Sequence, residues 1–269
     1  MHPSVRPVPD PVLRADPRHR LNQLCDISDW RGGPMVDALT ELGEPVVVHR
    51  KAWEYGKMIG GLRRLGVVRP DAVGLSVGAG AEHSLFLLAN HIQRMVATDL
   101  YGSGEEEWGW GRDFMADPAR YAPFPFRQEN LEVRDMSGLD LDFPDATFDL
   151  AYTLSSIEHF GGHEAAAQAM REMSRVTKPG GIVCVVTELL LSRATAPELF
   201  TFPELQHYLI EGSDLRLVDP VVDLRISESL LLHPEDMVRE GDQVSPHIVV
   251  TGWGETSAVW TSIILFFRK

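Results

Sequence analysis

Apolar residues fall into short unbroken runs between residues 72 and 187, with segments of helical spacing between them. Ala72-Val73-Gly74-Leu75-Ser76-Val77 predicts a buried strand. The turn Gly78-Ala79-Gly80 and a helix over about 82–90 follow it. A second run, 93–98, ends in Asp99, and a third predicted strand, 130–136, carries Asp135 near its end. Residues 148–154 form a fourth strand, buried by its continuous apolar character. The next helix, 164–176, turns Ala166, Ala169, Met170, Met173 and Val176 inward. Thr177-Lys178-Pro179-Gly180-Gly181 predicts a chain turn before a fifth strand at 182–187. A helix over 202–210, with Pro203 in its first turn, a sixth strand at 215–224 and a last, antiparallel strand at 260–267 complete the series. Alternation of strand and helix predicts an α/β protein with a mostly parallel sheet.

The flanking segments are less regular. Pro3, Pro7, Pro9, Pro11 and Pro17 predict an extended or mobile arm over residues 1–20, and 35–39 is compatible with one short helix. The chain thus divides into an N-terminal arm with a short helical segment, 1–45, and one larger domain, 46–269. A helix over 51–65 opens the larger domain, with Tyr55, Met58, Ile59, Leu62 and Leu65 on one face. Arg63 and Arg64 suit its C-terminal dipole, and Gly66 its C-cap. Residues 101–114 combine glycines, acids, Trp108 and Trp110, and predict a long loop over the mouth of a site. Its tryptophans either cover a core edge or stack on a ligand. Residues 233–254 are expected to cap the substrate side.

Chemistry enters at the glycine turn. Gly78 and Gly80 allow positive φ and leave room for a ligand, and the next helix aims free N–H groups at it. Asp99 follows about twenty residues on, where an acid at a strand tip binds the two hydroxyls of a ribose. The unit therefore reads as a nucleoside-binding βαβ. His83 stands where a dinucleotide fingerprint needs its third glycine, which disfavours a pyrophosphate site.

With Asp135, residues 143–160 and the Lys178-Pro179-Gly180-Gly181 turn added, the sequence resembles the class I S-adenosylmethionine-dependent methyltransferases over residues 72–188. The resemblance implies a Rossmann-like seven-stranded, mostly parallel sheet with helices on both faces and an antiparallel last strand. It implies S-adenosylmethionine as cofactor, held by Gly78, Ala79, Gly80, Glu82, Asp99, Leu100, Asp135, Met136 and Ser155. Asp135 is expected to accept from the adenine amino group. Ser76 departs from the family, which usually carries an acid there for the methionine amino group. In the resembling family the helix before the first strand packs beside the cofactor. Ser155, Ser156 and His159 line the loop where the methyl group points. His159 is the candidate general base, with Glu158 beside it, and His163 is its competitor; a histidine in this loop also suits a capping role.

A net charge of -14 opposes sequence-independent nucleic-acid binding. The short basic groups His49-Arg50-Lys51 and Arg63-Arg64 read as helix-end and ligand-facing charges. Two cysteines make no disulfide framework, so a reducing, cytoplasmic setting is expected, with no membrane partner. No signal peptide is read at the proline-rich start. No metal site is expected, because Gly161-Gly162 interrupts the His159/His163 spacing; His233, Glu235 and Asp236 are the other group close in sequence. The expected activity is methyl transfer to an oxygen or nitrogen of a small molecule of the sugar-like or secondary-metabolite kind. The alternatives are an NAD-dependent oxidoreductase and a non-catalytic S-adenosylmethionine-binding module.

Overall fold

The computed structural model describes residues 6–7, 20–26, 29–30, 33–43, 49–102, 110–226, 234–236, 248–253 and 256–269. Its strands and helices in chain order are β1 (Arg6–Pro7), β2 (Gln23–Leu24), α1 (Pro34–Glu41), α2 (Arg50–Arg64), β3 (Val73–Val77), α3 (His83–His91), β4 (Arg94–Asp99), α4 (Trp110–Ala116), β5 (Leu131–Asp135), β6 (Phe148–Leu154), α5 (His163–Val176) and β7 (Thr177–Leu190). After these come α6 (Phe202–Glu204), continued by a π-helical turn over Leu205–Ile210, then β8 (Arg216–Leu217), β9 (Val221–Val222), β10 (Pro234–Asp236), β11 (Ile248–Trp253) and β12 (Thr256–Arg268).

The central sheet has the order β10-β11-β12-β7-β6-β3-β4-β5, with β2 and β8 also paired to β12. β5, β4, β3, β6 and β7 are mutually parallel, and β12 runs antiparallel to β7. Side-chain alternation divides two cores between the faces. Ile182, Cys184 and Val186 of β7, with Ile264 and Phe266 of β12, pack under α1, α2 and α3. Val183, Val185, Ile263, Leu265 and Phe267 pack under α5 and the 202–210 helix. Gly61 lets α2 lie against β12, since a Cβ there would fall 2.1 Å from the Phe266 ring.

The long elements lie where hydrophobic spacing placed them. The differences have physical causes. Residues 178–181 are part of β7 rather than a separate turn. The ladder to β6 slips there, pairing Phe148 with Thr177 and then Leu150 with Ile182, and Gly180 takes φ 83°. The expected sixth strand is broken into β8 and β9 at Asp219-Pro220, where the Asp219 carboxylate accepts the Val221 N–H (3.0 Å). The expected long loop over 101–114 contains α4; Gly111 permits its close approach to Tyr101, whose carbonyl would lie 2.7 Å from a Cβ. Trp108 and the Trp110 side chain lie outside the described residues.

Within the expected 233–254 cap, β10 and β11 extend the sheet beyond the start of β12. Described residues of the N-terminal segment pack into the same core as the larger domain. Leu24, Cys25, Ala38, Leu39 and Leu42 are buried, and Asn22 joins distant segments. Its Oδ1 accepts the Phe266 N–H (2.7 Å), and its Nδ2 donates to the Asp219 carbonyl (2.6 Å). Among the described residues, no helix is long and apolar enough to cross a membrane.

Candidate active site

The carboxyl ends of β5, β4, β3, β6 and β7 form one edge, and the candidate residues follow it. At β3, Gly78 and Gly80 both adopt positive φ (66° and 52°). The turn is closed by the Ala79 N–H, which donates to the Thr98 carbonyl (3.0 Å). The Asp99 carboxylate accepts the Gly80 N–H at one oxygen and its neighbour's N–H, Leu100, at the other, both at 2.8 Å. The Tyr101 hydroxyl donates to the Gly80 carbonyl (2.6 Å). The Met136 N–H donates to the Asp99 carbonyl (2.9 Å), and Asp99 lies opposite Asp135 in the β4–β5 register. Gly78 to Gly80, Asp99, Leu100, Asp135 and Met136 thus come together. Each Asp99 oxygen keeps a lone pair for a further donor, and Leu100 is 48% exposed beside it.

Across β3 lies the loop after β6. Ser155 is held at φ 44°, a conformation costly for a residue with a Cβ, by two bonds. Its N–H donates to Val186 (2.8 Å) and its hydroxyl to Glu54 Oε2 (3.0 Å). The Ser156 hydroxyl donates to the Gly78 carbonyl (2.8 Å). A Cβ on Gly78 would meet Ser156 Cβ at 2.7 Å and the Phe160 ring at 3.0 Å, so this loop and the glycine turn form one closely fitted cradle.

The first turn of α2 brings the charges that the sequence reads as helix-end and ligand-facing groups. Glu54 is fully buried and ion-paired to Arg50 (3.1 Å) and Lys51 (3.2 Å), and it accepts the Ser262 hydroxyl. Burial pushes its carboxyl up, but Lys51, Arg50 and that hydroxyl outweigh burial and hold it below the usual range. Arg50 also pairs with Glu188 (3.2 Å) and stacks over Trp260 (4.4 Å). Glu158 is buried; Oε2 accepts the Thr187 hydroxyl (3.0 Å), whereas Oε1 has no hydrogen-bond partner among the described residues. Burial, then the Glu188 charge, raises Glu158 to about 8, and burial raises Glu188 to about 7. Burial likewise pushes Glu82 well above the carboxylate range, against its bond from Ser84 (3.1 Å) and the Lys51 charge.

The two histidines stand apart from this cluster. His159 is 52% exposed and 3.2 Å from Glu198. His163 stacks on Phe200 (4.4 Å), with Nε2 3.2 Å from the Leu199 carbonyl. Glu54, Glu188 and Tyr101 are site residues that pattern reading missed. The signal for Glu54 was an acid one helical turn after Arg50. Among the described residues, no group of three His, Cys, Asp or Glu side chains is placed to hold a metal; His233 and the side chains of Glu235 and Asp236 lie outside them.

Residues 75–185 match the family model described as a methyltransferase domain. The matched segment runs from β3 into β7 and takes in the glycine turn, Asp99, Asp135 and the loop after β6. An uncharacterised methyltransferase of Schizosaccharomyces pombe is 38% identical over 88 residues, which are 33% of this chain and 29% of that protein. The match therefore spans under a third of that relative's length. Among solved structures, the chain is similar to the YcgJ protein from Bacillus subtilis (17% identity; 77% of this chain, 96% of the other; TM-score 0.48). It is also similar to 1,6-didemethyltoxoflavin-N1-methyltransferase from Burkholderia thailandensis, solved with 1,6-didemethyltoxoflavin and S-adenosylhomocysteine (18% identity; 77% and 74%; TM-score 0.44).

Proposed function

We propose that the protein transfers a methyl group from S-adenosylmethionine to an oxygen or nitrogen of a small molecule, in a reducing, cytoplasmic setting. The observation that carries this reading is the Asp99 carboxylate. It is oriented by the Gly80 and Leu100 N–H groups at the tip of β4, and it faces a glycine turn with no room for a side chain at Gly78. Two ribose hydroxyls suit such a carboxylate, and Leu100, Asp135 and Met136 flank the adenine side. Bound there, the cofactor supplies a methyl group made electrophilic by its sulfonium.

The chain's own residues orient the acceptor and receive its proton. Orientation alone is worth effective molarities of about 10^5–10^8 M. Two receivers stand at the end of β6. Glu158 is buried with a partnerless oxygen, and His159 is open to solvent beside Glu198. We assign the proton to His159, which is open to solvent, because a buried carboxyl raised to about 8 already holds its own proton near neutral pH; His163 orients the loop through Phe200. A net charge of -14 and a buried, mixed-charge edge favour a small acceptor over a phosphate backbone.

The test is transfer of isotope-labelled methyl from S-adenosylmethionine in the presence of a fractionated small-molecule extract. Label appearing in a low-mass product, together with S-adenosylhomocysteine, is the expected result. Cofactor binding without turnover across the fractions would favour the non-catalytic module, and binding of NAD alone the oxidoreductase.

A further inference from the structure

Past the glycine turn, on the side away from Asp99, the ends of β6 and β7 are surrounded by acids. Glu54 comes from α2, Glu158 from the turn after β6, Glu188 from β7 and Glu198 from the segment after β7. Three of them have charged or imidazole partners. Glu54 pairs with Arg50 (3.1 Å) and Lys51 (3.2 Å), Glu188 with Arg50 (3.2 Å), and Glu198 lies 3.2 Å from His159. Glu158 is the exception among the described residues. Its carboxyl is buried, Oε2 accepts the Thr187 hydroxyl (3.0 Å), and Oε1 has no hydrogen-bond partner. The buried hydroxyl of Thr153, the last residue but one of β6, is likewise without a partner among them. Protonated or ionised, Oε1 requires a partner. A neutral donor would complete the hydrogen bond and leave the acid uncompensated; an ammonium group would do both.

Bonds place this carboxyl at the candidate site. It reaches from the turn after β6 to the end of β7, where Thr187 holds it. Beside it the Ser155 N–H donates to the Val186 carbonyl (2.8 Å), which ties the same two strand ends together. Ser156, two residues before Glu158, bonds the Gly78 carbonyl (2.8 Å). Ligands of open α/β sheets bind beyond the carboxyl ends of the strands, so a molecule that approaches the glycine turn from the β7 side meets Glu158. His159 follows it in the chain and is half open to solvent. A buried acid and a solvent-linked imidazole therefore adjoin.

We propose that the methyl acceptor is a small amine and that Glu158 binds it, its free oxygen taking an N–H of the ammonium form. The inference rests on the methyl-transfer reading above and narrows the acceptor atom to nitrogen. Glu54 and Glu188 are committed to Arg50 and are not assigned a ligand contact. Pairing with an ammonium group displaces the proton that Glu158 otherwise holds. The bound ammonium then gives one proton to His159 and through it to solvent. Its freed lone pair forms the N–C bond while the C–S bond breaks, with the electron pair of that bond staying on sulfur. The methylated amine leaves as a cation, beside S-adenosylhomocysteine.

The experiment gives the protein methyl-labelled S-adenosylmethionine and a small-molecule extract divided on a cation exchanger at neutral pH. Nuclear magnetic resonance of the labelled product distinguishes a methyl on nitrogen from one on oxygen. The expected result is label in the retained fraction alone, on nitrogen. With that fraction as acceptor, Glu158→Gln should lower kcat/KM by about tenfold or more, while its affinity for S-adenosylhomocysteine, read by calorimetry, changes by less than about threefold. The wild-type product is identified without any variant, so the test holds even where Glu158→Gln fails to fold. Label on oxygen, or only in molecules that the exchanger does not retain, would overturn the amine subsite and leave methyl transfer standing. An N-methylated product with kcat/KM unchanged in Glu158→Gln, or with S-adenosylhomocysteine affinity lost in step, would overturn the role of Glu158. No labelled product from any fraction would overturn the methyl-transfer reading and this inference together.

Discussion

The residue that decides most is Glu158. Its carboxyl is buried, accepts one hydroxyl from Thr187, and is raised to about 8 by burial and then by the Glu188 charge. An acid whose folded value lies above its unfolded value, about 4.3, binds more protons folded than unfolded in between. Its contribution to stability is therefore complete below about pH 4.3 and is lost as pH rises through about 8. Glu188, raised to about 7, adds to the same trend. Glu158→Gln should flatten the decline by up to about 1.4 kcal/mol per pH unit across that window. Denaturant unfolding from pH 5 to 9 measures this, and an unaltered slope would contradict the described environment. Legibility at this scale followed locality. Gly78, Gly80, Asp99 and Asp135 stood out because glycine turns and strand-tip acids announce themselves within a few residues. Glu54 did not: its role depends on Ser155 and Ser262, the latter 208 positions away. Nor does any local pattern foretell a serine held at φ 44°.

At the scale of elements, β3, α3, β4, β5, β6 and α5 were readable because apolar spacing is the force that forms them. Elements fixed by distant partners were not. β2 is two residues long and exists because Leu24 and Gln23 pair with Ile263 and Ile264 of β12. Residues 178–181 have turn composition, yet they run within β7 because a slipped ladder accommodates them. Glycines at 109 and 111 suggested a loop, whereas Gly111 serves the contact of α4 with Tyr101. The N-terminal tie predicts a measurable effect. Asn22→Ala would leave the buried Phe266 N–H and the Asp219 carbonyl without these partners, and should cost about 2–4 kcal/mol. Equilibrium unfolding reads it directly; a loss below about 0.5 kcal/mol, the range of an ordinary surface change, would show that the segment does not hold the sheet.

At the scale of the whole molecule, the candidate residues are arranged along one sheet edge. Asp135 and Asp99 lie on one side of the glycine turn, and the α2 charges with Glu158 and Glu188 on the other. The central claim is that Asp99 anchors the ribose of an S-adenosyl ligand. Calorimetry with S-adenosylhomocysteine on the wild type and on Asp99→Ala tests it most directly. The account predicts saturable binding by the wild type and a loss of roughly 1.5–3 kcal/mol, about tenfold or more, in a variant that melts normally. Equal affinity in the two proteins, or binding of NAD in place of S-adenosylhomocysteine, would contradict it.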